Sequence, residues 1–226
     1  MKRPLVCLFL LLVGLMPHFF SYSQEGSTGI PPDESRVLGK PLPDITLIDS
    51  YGNTFHLYSL KGKPIILSPI YTKCQSACPL ITDSLKKVIP KLGVPGRDFW
   101  VLSFSFDPSD TVEDLKRFQM EHQLDGVGWK VVKPVSREEL FRFLDAIDFR
   151  FMTTDNGRDF VHPNLVLIVS PDMRALKFAY GVVFKEEDLK PEPKGPTYLF
   201  FFALAGFIAS GLYLTIFLAK RRPSRR

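Results

Sequence analysis

Cysteine is scarce in this chain, with three in 226 residues, and beyond residue 7 the only two are Cys74 and Cys78. That scarcity excludes a scaffold stapled by several disulfides. A bridge between Cys74 and Cys78 closes a loop of about five residues, worth roughly 2 kcal/mol in lost chain entropy, so stabilising the fold is a poor reason for the pair. Acidic residues are absent from both ends, whereas Lys2, Arg3, Lys220, Arg221, Arg222, Arg225 and Arg226 lie there. The stretch between holds 22 basic against 24 acidic residues, so the formal net charge of +5 belongs to the ends. Nucleic-acid binding therefore has no support in the charge pattern. There is also no internal repeat, which excludes a solenoid.

The ends are the only places with long apolar runs. Lys2 and Arg3 precede an apolar run over 5–20, followed by Ser21, Tyr22 and Ser23, whose small residues suit a processing site. This predicts a signal peptide over 1–23, with an uncleaved anchor as the alternative, although the run is short for a full span. Cys7 lies within it and lacks the small neighbours of a lipoprotein box. Residues 198–219 are uncharged and rich in Phe, Leu, Ile and Ala, which predicts a single transmembrane helix, and 220–226 form a basic tail. The positive-inside tendency puts the tail in the cytoplasm and the body outside at the cell membrane, in the periplasm if the source is bacterial. Linkers are expected at 24–36 and at the proline-rich 191–197. They leave 37–190 as one domain.

Within that domain strands and helices alternate. Residues 45–49 and 54–57 flank Ser50-Tyr51-Gly52-Asn53 as an amino-terminal hairpin. An apolar run over 64–71 has strand length, and 80–92 has helical spacing. Residues 100–106 alternate apolar side chains with serines. Asp110 is placed to cap the next helix, and Ser136 with Glu139 to form the capping box of another. Residues 128–132 read as a strand, and 165–169 with 176–180 as a closing hairpin. The expectation is an α/β fold with a central mixed sheet flanked by helices.

Cys74 and Cys78 fall between the 64–71 strand and the 80–92 helix. With Pro79 in the first helical turn, Cys78 stands at the helix N-terminus, where unpaired N–H groups and the helix dipole favour a thiolate. Cys74 sits on the preceding loop. Such a pair can hold a soft metal, cycle between dithiol and disulfide, or do both.

Four features taken in order carry a family resemblance. They are the hairpin followed by Leu60-Lys61-Gly62-Lys63-Pro64, the run Tyr71-Thr72-Lys73-Cys74-Gln75-Ser76-Ala77-Cys78-Pro79, Ser105-Phe106-Asp107-Pro108 with Asp110-Thr111, and His162 ahead of Ser170-Pro171-Asp172. Over about 37–180 the chain resembles the SCO1/SenC family of copper-binding, thioredoxin-like proteins. The resemblance implies a thioredoxin-like fold and copper, as Cu(I) or Cu(II), held by Cys74, Cys78 and His162. Thiolates suit Cu(I) and imidazole suits both states. Asp107, on the loop after a central strand, is placed to orient a ligand or to touch the metal in its oxidised form, while Asp-Pro is also a common turn. His56 and His122 are read as surface or helix-end residues.

The resemblance further implies a metallochaperone that helps metallate the CuA-bearing subunit of cytochrome c oxidase. Other copper carriers and thiol–disulfide proteins are the further partners it suggests. The alternative is a thiol–disulfide oxidoreductase using Cys74 and Cys78 catalytically. A peroxiredoxin would place Thr three residues before its reactive cysteine, whereas Thr72 is two before Cys74. Three positions depart from or mark the family pattern: Val161 replaces the usual Asp before the histidine, Gln75 stands where relatives have Pro, and Pro163 suggests a cis His162–Pro163 bond.

Overall fold

The computed structural model describes residues 29–154, 159–191 and 206–208. The signal peptide expected over 1–23 and the basic tail over 220–226 lie outside the described residues. The strongest apolar run forms strand β3 (Ile65–Ile70), buried at every position because the sheet is covered on both faces. The same holds for β8 (Leu165–Val169). Strands β1 (Thr46–Asp49), β2 (Thr54–His56), β4 (Trp100–Ser105), β5 (Trp129–Pro134) and β9 (Ala175–Tyr180) complete a seven-stranded sheet ordered β2-β1-β5-β4-β3-β8-β9. Pairings of β3 with β4 and β4 with β5 are parallel, and the others are antiparallel. The mixed sheet and the amino-terminal hairpin are as expected.

Helices α2 (Ala77–Leu92) and α3 (Val112–Glu121) occupy the two crossovers that parallel pairing demands, α4 (Arg137–Ala146) follows β5 on the way to β8, and short α1 (Glu34–Val37) and α5 (Glu186–Leu189) lie near the ends. Each long helix buries one apolar stripe, Ile81, Leu85, Val88 and Ile89 in α2 for example. A separate two-stranded hairpin, β6 (Met152–Thr154) with β7 (Asp159–Val161), pairs Met152 with Val161 and stands outside the main ladder.

Several expectations need correction. A transmembrane helix over 198–219 does not stand as part of the fold. Among the described residues no helix is long and apolar enough to cross a membrane, and of that stretch only 206–208 are described, as helix. Asp110 does not cap α3. Thr111 does, in a capping box where Asp114 N donates to Thr111 Oγ1 over 3.2 Å and Thr111 N donates to Asp114 Oδ2 over 2.8 Å. Ser136 caps α4 as expected, but the Glu139 carboxylate accepts from Thr46 N over 3.0 Å, tying the helix to β1. Finally, the His162–Pro163 peptide is trans, the form an X–Pro amide favours by about 0.5–1 kcal/mol.

Sheet topology fixes where chemistry can sit. Because β8 runs antiparallel to β3, with Leu67 opposite Leu167, the start of β8 lies beside the end of β3. The parallel partner β4 ends at the same edge. The loop after β3, the loop after β4 and the segment before β8 therefore meet at one place, outside the carboxyl ends of the parallel strands.

Candidate metal site

Cys74, Cys78 and His162 come together at that edge. Helix α2 begins at Ala77, so Cys78 lies in its first turn and is fully buried, while Cys74 precedes it and is 7% exposed. Both are free thiols. Cys78 N points at Cys74 Sγ over 3.3 Å, and Ser76 Oγ lies 3.8 Å from the same sulfur. Hydrogen bonds from the Cys78 thiol, from His162 and from the amides of Cys78 and Ser76 outweigh burial and hold Cys74 down at about 3. The Cys78 thiol is pushed well up, first by its bond to Cys74 and then by burial. One thiolate supported by one thiol is the resting arrangement.

His162 is buried in a ring cluster. Its ring meets Phe106 at 5.0 Å, Tyr71 at 5.9 Å edge-on and Phe149 at 6.0 Å between centroids. Nδ1 lies 3.1 Å from the Pro163 carbonyl oxygen. A carbonyl oxygen only accepts, so in this contact Nδ1–H is the donor. Gly29 crosses so closely that a Cβ there would stand 2.4 Å from the His162 carbonyl carbon. Among the described residues no three His, Cys, Asp or Glu side chains already converge as a metal would require. The donors adjoin without being closed into a cage.

The remaining sequence candidates separate clearly. Asp107 is buried, and its Oδ1 accepts from Ser109 N over 2.8 Å, so its carboxylate is engaged in the turn of its own loop. His56 lies 3.5 Å from Asp44 at the amino-terminal hairpin, and His122 ends α3 against Phe118. Asp110, expected as a helix cap, is instead the hub beneath the cysteine loop. Its carboxylate accepts from Thr72 N at 2.9 Å, Thr72 Oγ1 at 2.7 Å and Ser105 Oγ at 2.6 Å, with Lys73 Nζ at 3.7 Å. The hydroxyls of Thr72 and Ser105 were the available signal.

A groove of about 730 Å³ opens beside Phe141, Phe149, Phe151 and Met152, and its lining includes none of the three donors. The SCO1/SenC family model matches residues 40–189, more than half of the chain. The chain belongs to the SCO1/SenC family. Among solved structures, this SCO1/SenC chain is 60% identical to a protein of Aquifex aeolicus VF5 described as an electron transfer protein. That match covers 68% of this chain and 93% of the other, at a TM-score of 0.66. It is 25% identical to Arabidopsis thaliana ScoI, solved with copper bound, over 66% of this chain and 93% of that one, at a TM-score of 0.53. It is 27% identical to BsSco, whose structure is described by a disulfide switch in a member of the Sco family of cytochrome c oxidase assembly proteins. There the match covers 63% of this chain and 84% of the other, at a TM-score of 0.52. Membership in SCO1/SenC and a thioredoxin-like fold are thereby shown for this chain, and copper is the metal in the solved ScoI relative.

The donor set fits that metal. Two sulfurs and an imidazole against an apolar wall are soft donors in a low-dielectric setting, which suits Cu(I). A set of three such ligands would leave an ion open to transfer.

Proposed function

We propose that this SCO1/SenC protein is an extracytoplasmic metallochaperone that carries one copper ion on Cys74, Cys78 and His162 and delivers it to the CuA-bearing subunit of cytochrome c oxidase. The observation that carries the reading is the meeting of Cys74, already a thiolate, with Cys78 and the buried His162 at one sheet edge. Copper in the ScoI relative and oxidase assembly in the description of BsSco support it. The extracytoplasmic placement is supported by the signal-like segment 1–23. As cargo, Cu(I) meets the Cys74 thiolate first, and Cys78 releases its proton as it joins.

Copper stoichiometry on the purified full chain, reduced and anaerobic, tests the reading beside His162→Ala and Cys74→Ser variants. One copper per chain, lost in the cysteine variant and held at least tenfold more weakly without His162, is the result expected. Retention indifferent to both substitutions would overturn it.

A second reading rests on the split between the two sulfurs. A low Cys74 and a high Cys78 also describe a nucleophile and its buried partner in thiol–disulfide exchange. Disulfide exchange with an exported protein that is as fast in His162→Ala as in the natural chain, without copper retention, would favour that role.

A further inference from the structure

The segment that delivers His162 has an unusual attachment. It follows the β6–β7 hairpin, which among the described residues forms its own two-stranded sheet with no ladder to the seven-stranded one. Side chains therefore help to set the hairpin's position against the cysteine loop. Apolar contacts supply part of this: Phe160 meets Phe106 edge-on at 5.5 Å and Phe151 at 5.3 Å between ring centroids. Ring contacts of this kind tolerate sliding, because the attraction changes slowly with offset.

One polar link is directional. Tyr71, the first residue after β3, is 2% exposed and stands three positions before Cys74. Its hydroxyl donates to the Asp159 carboxylate, and Asp159 opens β7 three positions before His162. The same carboxylate oxygen accepts from Phe160 N over 2.9 Å, so it is held by its own strand. The Tyr71 ring packs edge-on against Phe160 at 4.9 Å and against His162 at 5.9 Å. One side chain thus spans the cysteine loop and the histidine segment.

We propose that Tyr71, anchored by Asp159, is a positioning residue that fixes the His162 segment against the Cys74 loop and so sets how well the imidazole completes the donor set. The hydroxyl binds no cargo in this role. It acts through His162 by holding β7 in place. Tyr71 is almost wholly buried, and a hydrogen bond in such a setting holds more firmly than one in water. For its copper readout the inference rests on the proposed three-residue site, whereas its apo readout does not.

The test uses the full chain with Tyr71→Phe, which keeps the ring and removes only the hydroxyl, and with Asp159→Ala and Asp159→Asn. In the reduced apo protein, amide hydrogen exchange at Phe160, Val161 and His162 should speed up about tenfold in Tyr71→Phe and Asp159→Ala. It should stay unchanged in β3 and near the natural rate in Asp159→Asn, which retains an acceptor. In anaerobic competition for Cu(I), Tyr71→Phe should weaken binding about tenfold in the natural background and not at all in His162→Ala. Unchanged exchange in the hairpin overturns the proposal. So does an equal loss of copper in both backgrounds, because the hydroxyl would then act on Cys74 directly. If the natural chain bound no copper, the chaperone reading would fall while the exchange measurement still decided the positioning role.

Discussion

At the scale of single residues, the sulfurs make a sharp forecast. An ordinary cysteine titrates near 8.5, so its alkylation rate rises about tenfold per pH unit between pH 5 and 8. Cys74, held at about 3, is already a thiolate throughout that range. Iodoacetamide should therefore modify Cys74 at a rate nearly independent of pH and leave buried Cys78 untouched, as peptide mapping would show. A tenfold rise per unit at Cys74 would contradict the hydrogen-bonded thiolate. Asp110 makes a second forecast, about structure. Removing its carboxylate strands three buried donors, from Thr72 and Ser105, so Asp110→Ala should cost on the order of 3 kcal/mol in denaturant unfolding. Asp110→Asn keeps an acceptor and should cost clearly less. Equal costs would mean that those bonds contribute nothing.

At the scale of elements, the clearest local device is the start of α3. Replacing the capping Thr111 by Ala should destabilise the protein by about 1 kcal/mol, measured by thermal or denaturant unfolding. Its partner Asp114 is held at about 2 by the Thr111 amide first, then the Thr111 hydroxyl and Arg117, against burial. The folded value is lowered, so the stabilisation is present above the unfolded value near 3.9 and is lost as pH falls towards about 2. The stability gap between the natural chain and Asp114→Asn should close over that window, and a gap constant down to pH 2 would refute the assignment. This helix also shows what could be read from sequence. Its apolar period revealed the element, but Asp110 and Thr111 are both good caps, and only the fold brings Thr72 to Asp110. Strands β3 and β8 were legible because burial on both faces calls for a nearly continuous apolar run, and β4 because its apolar side chains alternate with serines. The β6–β7 hairpin was not, because its three-residue strands are mostly exposed and carry no alternation. For the same reason Cys74, Cys78 and His162 could be named through family resemblance, whereas the Tyr71–Asp159 link, 88 residues apart in sequence, could not.

At the scale of the whole molecule, antiparallel pairing of β3 with β8 joins two distant parts of the chain at the metal edge. A ligand bound across that seam stabilises the folded state, because the unfolded chain cannot hold all three donors together. Cu(I) in free excess of about 100 times its dissociation constant contributes about 2.7 kcal/mol. For a chain of this size each kcal/mol moves the melting temperature by about 2–4 °C, so the shift should be about 5–11 °C. The Cys74→Ser/Cys78→Ser variant should show none of it under reducing, anaerobic conditions. The His162→Ala variant should show an intermediate shift, since it keeps the sulfurs on the β3 side and loses the bridge to β8. A shift in His162→Ala equal to that of the natural chain would place the copper on the cysteine loop alone, and the topology that unites the two segments would then have no part in holding the metal.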